Sequence, residues 1–217
     1  MALRPRNASG LMGIIAALAL AVLVAGCGQA PAPGERAPDT GAEQVPASAA
    51  DRARAAAADF SGRLRAALRD HMGSEGPVSA VAFCREQAPA IAAEVMTAHG
   101  VRLGRVALPG RERNPGNTAT GWQVAVLARF ADAVATGGAP EDQVELVIDG
   151  LPDGIDARLA RGIRVEAPCQ LCHGVELAPG IAEAIALQYP GDRATGFREG
   201  DLRGALWVEV PATEPPP

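Results

Sequence analysis

The residues best suited to chemistry in this sequence are gathered in one heptapeptide, Pro168-Cys169-Gln170-Leu171-Cys172-His173-Gly174. Two thiols three positions apart can add across the two vinyl groups of one haem, and the imidazole of the next residue then meets the iron from below. The porphyrin itself dictates that spacing. The chain holds only 4 Cys and 3 His in 217 residues, so a chance match is rare. A zinc knuckle would want a second Cys/His pair nearby, and the sequence has none. A thioredoxin-like dithiol would want a strand leading into a helix that the first Cys opens, whereas an Ala-Pro break separates this segment from the strand pattern Leu159, Ile163, Val165. A disulfide from Cys169 to Cys172 would close a very tight loop. The motif points to one covalent haem c, with Cys169 and Cys172 as thioether anchors and His173 as proximal iron ligand.

The other end of the chain reads as an address. Arg4 and Arg6 precede an apolar run from Leu11 to Ala25, and Val24-Ala25-Gly26-Cys27 closes it. The run is too short for a membrane-spanning helix, which needs about 20 residues. It resembles a lipoprotein export signal over 1–26, with Cys27 as the lipidated residue. Gly28 rather than Asp follows the Cys, which argues for the outer membrane over inner-membrane retention. Residues 27–49, rich in Pro and Ala, form an extended tether, 50–211 the haem-binding domain, and 212–217 a Pro-rich tail. All 20 basic residues are Arg, against 25 acids. The absence of Lys excludes Schiff-base and P-loop chemistry. Without the signal, 18 Arg face 25 acids, about −7 net, a poor match for nucleic acid. Aromatics are only 3%, so the core must rest on Ala, Val, Leu and Ile, around something large that is not an amino acid.

The second axial position on the iron is open between His71, His99, Met72, Met96 and Cys84. A second His or a Met is the common partner in cytochromes. Cysteine accounting draws attention to Cys84. With Cys27 taking lipid and two Cys taking haem, it is a lone thiol in an oxidising compartment, a liability unless occupied or buried. A core Cys on an apolar helix face is the competing reading. Arg113, Arg193 and Arg203 are candidates to grip a haem propionate, because guanidinium pairs bidentately with carboxylate. Asn114 and Asn117 flank Pro115 in a loop, where turn geometry or hydrogen bonding at the haem edge would use them. There is no Ser-His-Asp set and no Gly-rich phosphate loop.

The elements that must position these residues follow from periodicity. Phe60, Leu64, Leu68 and Met72 predict an amphipathic helix over 50–72. A second helix starts at Pro77 and carries Val81, Cys84, Ala88, Ile91 and Val95, with a kink at Pro89 one turn beyond Cys84. Val101 to Leu108 predicts a strand and 110–120 a loop, while Trp122, Val126, Leu127 and Phe130 predict a third helix. Val144 to Ile148, Leu159 to Val165 and Leu206 to Val210 alternate as strands, with a short helix over Ala178 to Gln188. Helices mostly first and strands mostly later give an α+β class with N-terminal helices on a small antiparallel sheet.

Four segments carry a family resemblance: Val81-Ala82-Phe83-Cys84 with Ala88-Pro89-Ala90-Ile91-Ala92; Arg113-Asn114-Pro115-Gly116-Asn117; Cys169 to Gly174; and Tyr189 to Phe197 through Gly200 to Ala205. Over 78–208 the chain resembles the bacterial periplasmic domains of PAS-like fold that bind one c-type haem, long catalogued as a domain of unknown function. The resemblance implies His173 as proximal ligand and Cys84 as distal ligand. Members often carry Arg-Thr-Ser before the Arg-Asn-Pro segment and Trp-Glu after it. Here Arg105-Val106-Ala107 and Trp122-Gln123 stand there, which implies a drier distal pocket if those groups lie beside the iron.

The expected protein is therefore a lipid-anchored periplasmic haem c protein acting in electron transfer or in redox or gas sensing, with a small gas as ligand in the sensing case and a protein partner of unknown identity. A peroxidase-like enzyme with an open distal site is the alternative, and it would need acid–base residues beside the iron.

Overall fold

The computed structural model describes residues 47–212. The export signal, Cys27, all but the last residues of the tether, and 213–217 of the tail lie outside the described residues. Ser48 accepts the amide of Asp51 and opens helix α1 (Ala49–His99), and Gly100, at φ 61° and ψ 44°, closes it by donating its N–H to Met96. The two helices expected from the sequence are the halves of this element. Its backbone leaves the helical region at Gly76, with φ 82° and ψ 170°. A residue before proline is pushed out of the α region, and glycine alone takes positive φ without strain. The Ser79 hydroxyl bonds the carbonyls of Glu75 and Gly76 across the break. The expected kink at Pro89 is not a break of this kind, since Gly76 is the one non-helical residue inside α1. The φ of proline suits a helix, and a single freed carbonyl does not end one.

Four strands follow in one antiparallel sheet: β1 (Arg102–Ala107), β2 (Val144–Val147), β3 (Ile155–Arg164) and β4 (Leu202–Pro211), in the order β1-β4-β3-β2. Helix α2 (Trp122–Ala135) lies between β1 and β2 in sequence. On one face of the sheet α1 lays Ala53, Ala56, Phe60, Ile91 and Val95 against Leu103, Leu159, Leu206 and Val208. On the other, Val126, Leu127 and Phe130 of α2 pack on Val106, Ala160 and Ala205. The alternation along β4 sends Leu206, Val208 and Val210 to α1, and Ala205 and Trp207 to α2. Each such buried aliphatic side chain contributes about 1.5–3 kcal/mol. The architecture is α+β with a small antiparallel sheet.

The pairing of β3 with β4 shifts twice, between Ile155 and Ala157 and again between Ile163 and Arg164. Ile163 pairs with Gly204 and Arg164 with Leu202, so Arg203 is an extra residue on β4. Such a bulge breaks the two-residue alternation and re-aims a side chain. Gly204 makes it possible: its φ is 150°, and a Cβ there would collide with the carbonyl of Val106 on β1.

Three stability measurements check this packing. Gly204→Ala is expected to cost about 1–3 kcal/mol in urea unfolding, whereas Gly62→Ala, on an open part of α1, is expected to gain about 0.5–1 kcal/mol. Leu127→Ala, 2% exposed in the native fold, is expected to cost about 2–5 kcal/mol.

Candidate functional site

The Cys169–Gly174 segment begins where the sheet ends. After β3 the chain makes a 3-10 turn, Ala167–Cys169, and then the single-turn helix α3 (Gln170–His173). The strand-to-helix context that the sequence argument withheld from a thioredoxin-like pair is thus present, with Cys169 directly before α3. The Ala-Pro step does not break the chain into a loop, because Pro168 is well placed in the first turn of a helix. Burial instead pushes the Cys172 thiol up, the opposite of an activated dithiol sulfur. Gly174 closes the turn by donating to Gln170 at 2.8 Å, where a Cβ would strike the Gln170 carbonyl. Helix α4 (Pro179–Gln188) follows.

His173 is held from behind. Its Nδ1 lies 2.7 Å from the carbonyl oxygen of Ala194. A carbonyl only accepts, so Nδ1 carries the proton and Nε2 keeps its lone pair. Burial, reinforced by the positive charges of Arg203 and Arg113, holds the imidazole pKa down to about 2, so the ring is neutral. The loop that offers Ala194 is fixed in turn: Asp192 accepts the Ala194 amide at 3.1 Å and the Arg113 Nε at 2.8 Å. Arg113 also donates to the Cys172 carbonyl at 2.6 Å, and Phe197 and Gly196 donate to the carbonyls of His173 and Gly174. One ion pair, with side chains 11% and 8% exposed, therefore ties the motif to the loop that orients its imidazole.

The walls beside this imidazole are apolar. Cys172 packs with Val81, Leu177, Ile181, Ile185 and Tyr189, and Cys169 with Val165, Ala194 and Phe197. Cys84, a half-buried free thiol, stands almost one turn along α1 from Val81. Burial pushes this thiol up while the Arg105 charge pulls it down, and Cys172, Arg113 and Arg203 act on it as well. Cys84 and Cys172 are therefore close enough to act on each other, with Arg105, Arg113 and Arg203 near both Cys84 and His173. The Arg203 Nη2 lies 3.3 Å from His173 Nε2 and 3.4 Å from Nδ1, and burial lowers its pKa to about 10. Arg105 sits deep in β1 yet keeps part of its surface open, as a cleft-lining residue does. Sequence reading missed this residue. Its signal was a cation in the alternation Val101, Leu103, Arg105, on the face that should be buried.

The remaining candidates are placed as follows. The His71 Nε2 is 3.0 Å from the Ser79 hydroxyl and its ring stacks on Phe83 at 4.2 Å. His99 pairs with Asp59 at 3.1 Å, Met96 packs into the core between α1 and the sheet, and Met72 is half-buried. The exposed Asn114 accepts the Gly116 amide at 2.9 Å and so starts the turn Pro115–Asn117, which half-buried Asn117 closes. Arg193 is exposed. Of the residues that depart from the family pattern, Val106 belongs to the core under α2, and Gln123 accepts the Thr120 amide at 3.1 Å. The two-residue alternation of β1 puts Val106 on the face opposite Arg105. Among the described residues no group of three His, Cys, Asp or Glu gathers as a metal cage.

The residues fit a haem. An oriented neutral imidazole, two neighbouring thiols, a further thiol, apolar side chains, and partly buried cations without carboxylate partners lie near one another. Asp192→Asn is expected to cost about 3 kcal/mol in urea unfolding, as breaking a buried pair does. Adding Arg113→Met should recover part of that loss, and strictly additive losses would contradict the coupling.

No curated protein matches the chain. Among solved structures it is similar to the cyanobacterial haem protein Tll0287, with 28% identity over 71% of this chain and 96% of that one and a TM-score of 0.49. The family model described as Tll0287-like matches residues 42–211, and the chain belongs to that family.

Proposed function

We propose that the chain is a c-type haem protein of PAS-like fold that carries single electrons in the periplasm, anchored to the outer membrane through lipid on Cys27. The observation that carries this reading is His173. It follows two thiols at haem-attachment spacing, and its Nδ1 proton is spent on Ala194, so Nε2 is left with its lone pair. Family membership runs the same way, since the protein that gives the family its name is titled a haem protein.

Cys169 and Cys172 would form the thioethers, His173 would be the proximal iron ligand, and Cys84 the distal one. Bound there, a haem supplies reversible one-electron exchange at its iron. Val81, Ile181 and Ile185 keep water from the cleft, and the Arg113–Asp192 pair keeps the imidazole from turning. Were His173 and Cys84 both to hold the iron, no position on it would be left for substrate. That favours a carrier over a peroxidase-like enzyme. The chain's other histidines support the same choice, because His71 is engaged by Ser79 and His99 by Asp59. A sensor of small gases would use the same cleft, with Cys84 as the ligand that yields.

Expression in a host that exports and matures c-type cytochromes tests the reading. One haem per chain that survives acid extraction, and is lost in the Cys169→Ala, Cys172→Ala variant, is expected; wild-type chain purified without haem would overturn the proposal. Thiolate donation stabilises ferric iron, so Cys84→Met should raise the midpoint potential. Spectra indifferent to carbon monoxide and nitric oxide support the carrier, and displacement of a ligand by either gas would make the protein a sensor. Cys27→Ser should move the protein from the membrane to the soluble fraction.

A further inference from the structure

Three guanidinium groups, those of Arg105, Arg113 and Arg203, act on the imidazole of His173 from within the fold. Asp192 offsets Arg113 at 2.8 Å. Among the described residues, neither Arg105 nor Arg203 has a carboxylate within ion-pair distance. Arg105 has the Phe60 ring at 5.8 Å and Arg203 the Phe197 ring at 5.7 Å, and Arg203 otherwise has only His173. Even partly buried cations are costly when left unpaired, and folds retain them where a ligand supplies the opposite charge. The backbone is shaped around one of them. Arg203 is the extra residue of the β4 bulge, and the bulge depends on Gly204 at φ 150°. Without that insertion the regular alternation would set this residue's direction, as it does for Ala205 and Trp207.

We propose that Arg105 and Arg203 are the pair that holds the two propionate carboxylates of the haem. The proposal rests on the haem reading above and adds which residues bind the charged edge. The charge count agrees with it. A thiolate at Cys84 is offset by the single positive charge of a ferric porphyrin core, so two carboxylates remain for two unpaired arginines. Arg203 must also release Nε2 before that atom can ligate. A carboxylate on the same ligand gives the released guanidinium its partner. Arg113 and Arg193, equal candidates by sequence, are set aside because Asp192 holds the first and the second is exposed.

The test uses the haem-loaded chain and the variants Arg105→Gln, Arg203→Gln, Arg105→Lys and Arg203→Lys. Resonance Raman spectra report the propionate bending band, which moves when a carboxylate loses its hydrogen bond, and redox titration reports the midpoint potential. Each Gln variant is expected to shift the band and to lower the potential, since a positive charge near the iron is lost; each Lys variant is expected to restore most of the potential. Should a Gln variant fail to load haem, the matching Lys variant must load it. Bands and potentials unchanged in loaded Gln variants, or Lys variants that fail as the Gln variants do, would overturn the pairing while leaving the haem reading intact. Wild-type chain without haem would remove both.

Discussion

A neutral imidazole surrounded by positive charge is the constraint on which the rest of this structure depends. Three arginines act on His173, and one carboxylate, Asp192, answers them. Such an arrangement keeps a second proton off the ring more firmly than burial alone, and the Ala194 carbonyl decides which nitrogen keeps its lone pair. Metal binding to imidazole asks for both conditions. The fold meets them through backbone features far apart in sequence: the end of β1, the loop before Pro115–Asn117, the single turn of α3, the segment after α4 and the bulge of β4.

These pieces are brought together by a long helix laid on a sheet. Small residues at Ala53, Ala56 and Ala57 let α1 lie close to the strands, and its second half then carries Val81 against Ile181 and Ile185 of α4. The break at Gly76 separates the two halves, so each meets its own neighbours. The first half serves the core over the sheet, and the second serves both that core and the cleft beside α4. A core poor in aromatics leaves the cleft to be filled by a large apolar group with charged ends, as the haem reading requires.

Much of this was legible in the sequence, because periodicity reports burial directly. The strand alternations and the stripe of α2 each reappear within a few residues of their expected limits, and Cys169, Cys172 and His173 stand out by spacing alone. Other features were hidden for physical reasons. Pro89 advertised a distortion, yet the dihedral break lies at Gly76, where a pre-proline position and a missing side chain coincide. Arg105 stands outside the sequence candidates, and it is the parity of β1 that sets it on the face of Leu103, toward α1. Arg203 could not be located at all, because a bulge has no sequence period and only the shifted register reveals it. The Ala-Pro step before Cys169 read as a break when it is the first turn of the segment.

Iron ligation from two sides of one cleft is the central claim, and X-ray absorption at the iron edge of the haem-loaded protein tests it most directly. Sulfur bonded to iron in the wild type, and lost in Cys84→Ser with the haem still attached, is the predicted result. An iron surrounded only by nitrogen and oxygen, with a spectrum that Cys84→Ser leaves unchanged, would contradict it and return Cys84 to the core.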